Sequence, residues 1–340
     1  MGIKMMVLGL AVATTCSLAA DAEVVDGYRW AFRPAGNGVE INGEATSLLT
    51  RCAVFPKPRN SVSVPSVLGG RPLTCIGELA FLNCRDLLDV TIPNGVKRIG
   101  TNAFRNCEKL VRASIPDGLD DIGNWAFGDC TALADIKIPS SVTNIGEGAF
   151  HRCGSLTGIT IPNGVKHIGW NGFSECKSLT GVAIPGSVTV LADEAFYRCE
   201  SLTYAKIESG VTSIGRMAFR GCRGLTEMII PASVTNVGEC AFRDCPNLRS
   251  VTFLGREARV ADNAFDSHVV AHALQKFTQR QAAARDIVLL LMLTLGCFLM
   301  VDMLFRRSHR ERIARGLYRL SKMQGRKAAT YDAMKRKSTP

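Results

Sequence analysis

The sequence predicts a β-rich solenoid of the α/β repeat class, with one short strand per 23-residue coil, followed by a single transmembrane helix. Three observations carry this expectation. Cysteine recurs at 84, 107, 130, 153, 176, 199, 222 and 245, a constant spacing. Phenylalanine precedes every one of these by three positions, and leucine follows every one by three. A 19-residue apolar run, Ile287 to Phe305, lies beyond the array. Repetition overrides the two-domain expectation that 340 residues would otherwise raise, because repeat chains grow by adding units to one continuous core.

Taken in order, residues 1–22 read as a secretory signal peptide. Lys4 precedes an apolar run from Met5 to Ala13, and the small residues Ala20 and Ala22 fit an A-x-A cleavage site. Cleavage is expected after Ala22, with Ala20 as the second choice. Cys16 raises a lipoprotein reading, but Ala13, Thr14 and Thr15 supply neither the leucine three positions back nor the small residue directly before the cysteine. Residues 23–61 are expected to form strands that cap the open N-terminal end of a repeat stack.

Residues 62–268 are the solenoid. The unit reads A-F-x-x-C-x-x-L-x-x-V/I-x-I-P-x-x-V-x-x-I-G. In Leu87–Pro93, Val90 and Ile92 alternate with Asp89 and Thr91, the pattern of a strand with one buried face. Pro93 removes a backbone donor and ends it, and Asn94-Gly95 turns the chain. Val96 and Ile99 point inward again, Gly100 permits a tight bend, and Phe104 enters the core before the next cysteine. One coil cannot bury these residues alone, so coils must stack strand beside strand at roughly 4.8 Å.

This motif resembles the BspA-like leucine-rich repeats, over about Val62 to Phe265. The resemblance implies a right-handed leucine-rich-repeat solenoid on a cell surface, with members acting as adhesins that bind host matrix proteins or other cells, and it implies no enzyme. The departures locate the ends and irregularities. The interval from Pro65 to Pro93 is longer than one repeat, the surplus lying in "VLGGRPLTCIG"; Glu208 replaces a proline; Leu191-Ala192 replaces Ile-Gly; Gly172 replaces the alanine; His268 stands where the ninth cysteine would be.

The chemistry-bearing residues point away from catalysis. The cysteine ladder (Cys84, Cys107, Cys130, Cys153, Cys176, Cys199, Cys222, Cys245) is expected as buried free thiols, because stacked equivalents hold parallel Cβ vectors whereas a disulfide needs them converging to about 3.8 Å. Cys52 and Cys75 fall outside the pattern and are a candidate pair in the cap; Cys240 is left over. No C-x-x-C or H-E-x-x-H occurs, so no metal site is expected, and His268 with His272 lacks a third ligand. No G-x-S-x-G or phosphate-cradling glycine motif occurs either, and His151 and His167 stand at variable positions expected to be exposed. No cofactor is expected.

Function therefore falls to the outward strand positions, from Asp89/Thr91 to Ser250/Thr252. These are mostly small or mixed, with Tyr204 and Lys206 beside Ile229 as the bulky exception, and with Trp125 and Trp170 just ahead of their phenylalanines. Tyrosine and tryptophan are favoured interface anchors. The expected partner is a protein or glycan on the solenoid face; the alternative is an envelope scaffold whose repeats self-associate.

Beyond the array, residues 269–286 read as a helical stalk. Residues 287–305 reach roughly 28 Å as a helix, close to the roughly 30 Å hydrocarbon core of a bilayer. The net charge of +11 divides unevenly: the tail, 306–340, carries twelve Lys/Arg against Glu311 and Asp332, leaving 29 basic and 28 acidic residues in the rest. The positive-inside rule puts this tail in the cytoplasm and residues 23–286 outside. Within it Arg306, Arg307, Arg312, Arg315, Arg319 and Lys322 can meet anionic lipid, around an apolar stripe of Ile313, Leu317 and Leu320. Nucleic-acid binding lacks the interleaved aromatics and the fold that would support it.

Overall fold

The computed structural model describes residues 21–41, 53–255 and 258–269. The expected signal segment up to Ala20, the stalk beyond Val269, the 287–305 span and the basic tail lie outside them. No helix among the described residues is long and apolar enough to cross a membrane.

The chain begins with a cap of four strands: β1 (Asp21–Val25), β2 (Tyr28–Ala35), β3 (Gly38–Ile41) and β4 (Val54–Phe55). Asp26 and Gly27, both at positive φ (51° and 78°), make the two-residue turn between β1 and β2, a backbone twist that matches antiparallel strands. β2 pairs antiparallel with β1, β3 and β4, while β3 runs parallel to the strand Arg71–Ile76 and so joins the cap to the coils. Trp30, fully buried, sets its indole edge against Phe81 at 6.0 Å and closes the first coil's open side.

The coils that follow contribute to two parallel ladders. The first is the strand column the alternating pattern predicts: Asn60–Ser63, Leu87–Thr91, Arg112–Ser114, Asp135–Ile136, Gly181–Ile184, Tyr204–Ile207, Glu227–Ile230 and Ser250–Phe253. The second is built from the x-Ile step and is two residues long in most coils: Arg98–Ile99, Asp121–Ile122, Asn144–Ile145, His167–Ile168, Val190–Leu191, Ser213–Ile214, Asn236–Val237 and Arg259–Val260. So short a strand cannot register as an alternation, which is why the pattern alone shows one strand per coil. The longer first interval is a small hairpin, Val67–Leu68 against Arg71–Pro72, turned by Gly69 and Gly70 at positive φ.

The α/β class does not hold for the coils. The Ala-Phe-x-x-Cys side is a series of turns, because two positions per coil adopt left-handed backbone. One lies two residues before phenylalanine (Leu79, Asn102, Trp125, Gly148, Asn171, Glu194, Met217, Cys240), the other directly before cysteine (Asn83, Asn106, Asp129, Arg152, Glu175, Arg198, Gly221, Asp244). A left-handed residue every few positions prevents a helix from propagating.

The spine of the stack is aromatic. From Phe81 to Phe265 successive rings lie 4.8–5.6 Å apart and within 11° of parallel. Beside it the thiols of Cys107, Cys130, Cys153, Cys176, Cys199, Cys222 and Cys245 each donate to the phenylalanine carbonyl of the coil before, S to O 3.1–3.3 Å. Cysteine fits here as a small buried hydrophobe with one weak donor. The ladder cysteines from Cys107 to Cys245 are free thiols, and Cys84 is buried at the head of their column. Burial pushes Cys176 and Cys245 up to about 12, and Cys107, Cys153, Cys199 and Cys222 well above their ordinary value. Cys75 is also free and buried; Cys52 lies outside the described residues.

The spine is continuous but the ladders are not. The first ladder breaks after Asp135–Ile136, resumes as a single bridge from Gly158 to Gly181, and breaks again between Tyr204–Ile207 and Glu227–Ile230. The second breaks between His167–Ile168 and Val190–Leu191. That break coincides with Leu191-Ala192. In the regular coils the glycine after isoleucine lets the backbone of neighbouring coils close together: a Cβ on Gly100, Gly123, Gly146 or Gly215 would come within 2.6–2.8 Å of the backbone one coil earlier. Ala192 carries that methyl group.

Candidate functional site

The outward face of the first ladder divides into three zones. At its start Asp89 is held by Arg112 (2.8 Å) and Ser61 (3.1 Å), and Asp86 by Lys109 (2.8 Å). The hydrogen bond from Arg112 holds the Asp89 carboxyl below the usual carboxylate range. These charges are already matched to one another. The middle zone is nearly bare, with Gly158, Thr160, Gly181 and Ala183 giving a shelf with almost no side chain above the backbone. At its far side Tyr204 and Ile229 stand 58% and 56% exposed. Tyr204 leans its ring toward Gly181, which would meet Cδ1 at 3.8 Å if it carried a Cβ. Lys206 is paired with Glu208 at 3.2 Å. Tyr204 and Lys206 lie on one side of the first ladder's break, Glu227 and Ile229 on the other.

The two candidate tryptophans separate. Trp125 is half-buried rather than free on the surface. Its indole covers Gly148, where a Cβ would come within 2.6 Å of the ring, and lies close over Gly128. The Arg105 guanidinium sits 4.7 Å from its ring, and His151 meets it edge-on at 5.0 Å. Trp125 is thus a structural plug, and the signal for it was available: two glycines replace side chains where the indole lands. Trp170 remains 44% exposed and follows the second ladder, so the fold does not bring it to Tyr204 and Ile229.

His151 is half-buried, which corrects the expectation of an exposed position; burial lowers its pKa, and its Nδ1 has no partner. His167 is exposed, as is His268, while His272 lies outside the described residues. Among the described residues no group of three or more His, Cys, Asp or Glu could hold a metal ion. A cleft of about 670 Å³ at the seam between cap and coils is lined by Arg33, Glu40, Thr74, Cys75, Lys97 and Arg98. Arg33 pairs with Glu40 there, and burial, then the Glu40 carboxylate, pushes Cys75 up to about 11. A thiol held in its protonated form beside a carboxylate is a poor nucleophile.

The family model for the BspA-type leucine-rich repeat region matches six copies, over residues 60–180 and 143–271. The chain is a BspA-type leucine-rich repeat protein. Among solved structures, the T. pallidum leucine-rich repeat protein is 31% identical, with a TM-score of 0.50 over 63% of this chain and 91% of its own. A leucine-rich repeat protein from Bacteroides ovatus is 28% identical, with a TM-score of 0.52 over 70% of this chain and 66% of its own. No curated protein matches the sequence. This BspA-type chain therefore shares its repeat and stacking with bacterial leucine-rich repeat proteins, a fold that presents long faces for macromolecules or serves as a scaffold.

Proposed function

We propose that this BspA-type chain is an exported, single-pass membrane protein whose solenoid binds a macromolecular partner, protein or glycan, in adhesion or recognition, with no catalysis of its own. The observation that carries the reading is the zoned strand face, with its bare Gly158–Ala183 shelf ending at exposed Tyr204 and Ile229. A regular face with self-paired charges at one end and unsatisfied apolar surface at the other offers an anchor rather than a reaction site. Anchorage rests on the 287–305 run and the basic tail, and export on the leader. Cleavage after Ala20 keeps all of β1, whereas cleavage after Ala22 removes two of its five register pairs.

Protease shaving of intact cells tests this, with one tag in the repeats and another after Lys337. Loss of the repeat tag with survival of the tail tag is the expected result. Protection of both tags on intact cells overturns the surface reading and favours the scaffold. Binding of shaved and unshaved cells to matrix proteins and glycans then reads the ligand, with Tyr204→Ala and Ile229→Asp expected to reduce it.

A further inference from the structure

Trp170 follows the Ile-Gly step, and its equivalents on the neighbouring coils are Glu147 and Asp193. Backbone bonds tie these coils together at this position, from the Gly148 N–H to the Trp170 carbonyl at 2.8 Å and from the Asn171 N–H to the Asp193 carbonyl at 3.3 Å. The exposed indole therefore has a carboxylate one coil away on each side. Glu147 and Asp193 are both exposed and form no ion pair among the described residues. Asp193 uses Oδ1 to accept the Arg216 backbone N–H at 2.7 Å, and the Arg216 side chain turns to Glu194 at 3.4 Å instead. Val190, 55% exposed, adds apolar surface at the same broken stretch of the second ladder.

The same protein shows what this combination takes. At Trp125 the Arg105 guanidinium lies 4.7 Å from the indole and 3.3 Å from Asp129, so ring and carboxylate together hold one cation. Trp170 has the ring, with Glu147 and Asp193 at the equivalent positions of the coils on either side, and no cation of the described residues lies over it. We propose that Trp170, Glu147 and Asp193 form a receptor for a lysine or arginine side chain of a basic partner protein. The indole face attracts the cation through its quadrupole, the carboxylates neutralise it, and Val190 receives the alkyl stem.

The test titrates the full-length protein into a fluorescein-labelled, end-blocked tetralysine peptide and into its fully Nε-acetylated counterpart, following the anisotropy of the label at low salt. Tetralysine is expected to give a saturable change that weakens as salt rises, and the acetylated peptide none. Trp170→Leu and Glu147→Gln/Asp193→Asn are each expected to weaken binding at least tenfold. Trp170→Phe, which keeps an aromatic face, is expected to retain part of it and guards against a folding defect. Equal binding of the acetylated peptide, an unsaturable response, or an unchanged affinity in the carboxamide double variant overturns the proposal. So does preferential binding of tetramethylammonium or of a neutral oligosaccharide. Tyr204→Ala should leave this titration unchanged, so failure of the strand-face reading and failure of this one are separable.

Discussion

Moving one methyl group between two coils tests whether close backbone approach governs the second ladder. A Cβ built on Gly146 falls 2.6 Å from the Asn124 nitrogen and 2.6 Å from the Gly123 carbonyl carbon, both backbone atoms that cannot swing aside. Gly146→Ala must force the coils apart, costing about 1–3 kcal/mol for overpacking. It also endangers the 2.8 Å bond from Gly146 N–H to the Ile122 carbonyl, about 1 kcal/mol more. Ala192 is the natural experiment: it occupies the equivalent position, and there Val190–Leu191 has no ladder partner toward His167–Ile168. Ala261 also replaces the glycine, yet Arg259–Val260 still pairs with Asn236–Val237. Among the described residues no coil follows that one, whereas the Ala192 coil lies between two others. Ala192→Gly should therefore restore pairing, a gain of about 2 kcal/mol from two bonds offset by about 0.5–1 kcal/mol for the added glycine entropy. Because repeat stability is a sum of local interfaces, hydrogen exchange over 189–192 reads the effect where a global melt would dilute it. Slower exchange there in Ala192→Gly, with a loss of about 2–4 kcal/mol in urea unfolding for Gly146→Ala, is the expected pair of results. Unchanged exchange together with a tolerated Gly146→Ala would refute the close-approach argument.

Two further expectations concern the turn side. At the left-handed positions Asn102→Val should cost about 1–2 kcal/mol, since a β-branched residue is poorly suited to positive φ, while Met217→Asn should gain about 0.5 kcal/mol, both read as urea-midpoint shifts. The buried thiols should make the solenoid alkali-sensitive. The folded values of Cys176 and Cys245 lie near 12 against 9.0 for an ordinary thiol, so the unfolded chain loses their protons first. Their stabilisation is complete below pH 9.0 and drains away as pH rises toward about 12, at up to ~1.4 kcal/mol per pH unit per thiol. Urea midpoints followed from about pH 8 to 11 check this, and a parent whose midpoint falls no faster than that of Cys176→Ala/Cys245→Ala would count against it.

The coil was legible because its buried residues obey one spacing that stacking imposes. Phe, Cys and Leu each face their own equivalents one coil away, so any change in size would open or overfill the column, and the sequence records that constraint as identity at a fixed interval. The left-handed turns were not legible because the expected marker is absent: only Gly148 and Gly221 among those sixteen positions are glycine. Stacking contacts hold Leu79, Glu194 and Met217 in a conformation that local preference disfavours. The short second ladder was hidden for another reason, since a strand of one step gives no period. At the surface, Trp170 could be singled out as an aromatic, but Glu147 and Asp193 become its neighbours only once the coil step is applied to the exposed column.

The places where this chain departs from its own rule are also the places where its surface offers something. The spine of rings and thiols passes unbroken through the ladder breaks, which means the outer columns can lose hydrogen bonds without the stack coming apart. One break lies between Tyr204/Lys206 and Ile229, another beside Trp170 and Val190. Beside the breaks stand the exposed apolar side chains Tyr204, Ile229, Trp170 and Val190, whereas the start of the first ladder pairs its outward charges across one coil step, as Arg112 does with Asp89 and Lys109 with Asp86. Selection for stacking acts on the inward residues and leaves the outward ones free. The irregular coils from Gly158 to Ile229 are accordingly where the proposed recognition is built, and the uniform ones before them set its distance from the cap.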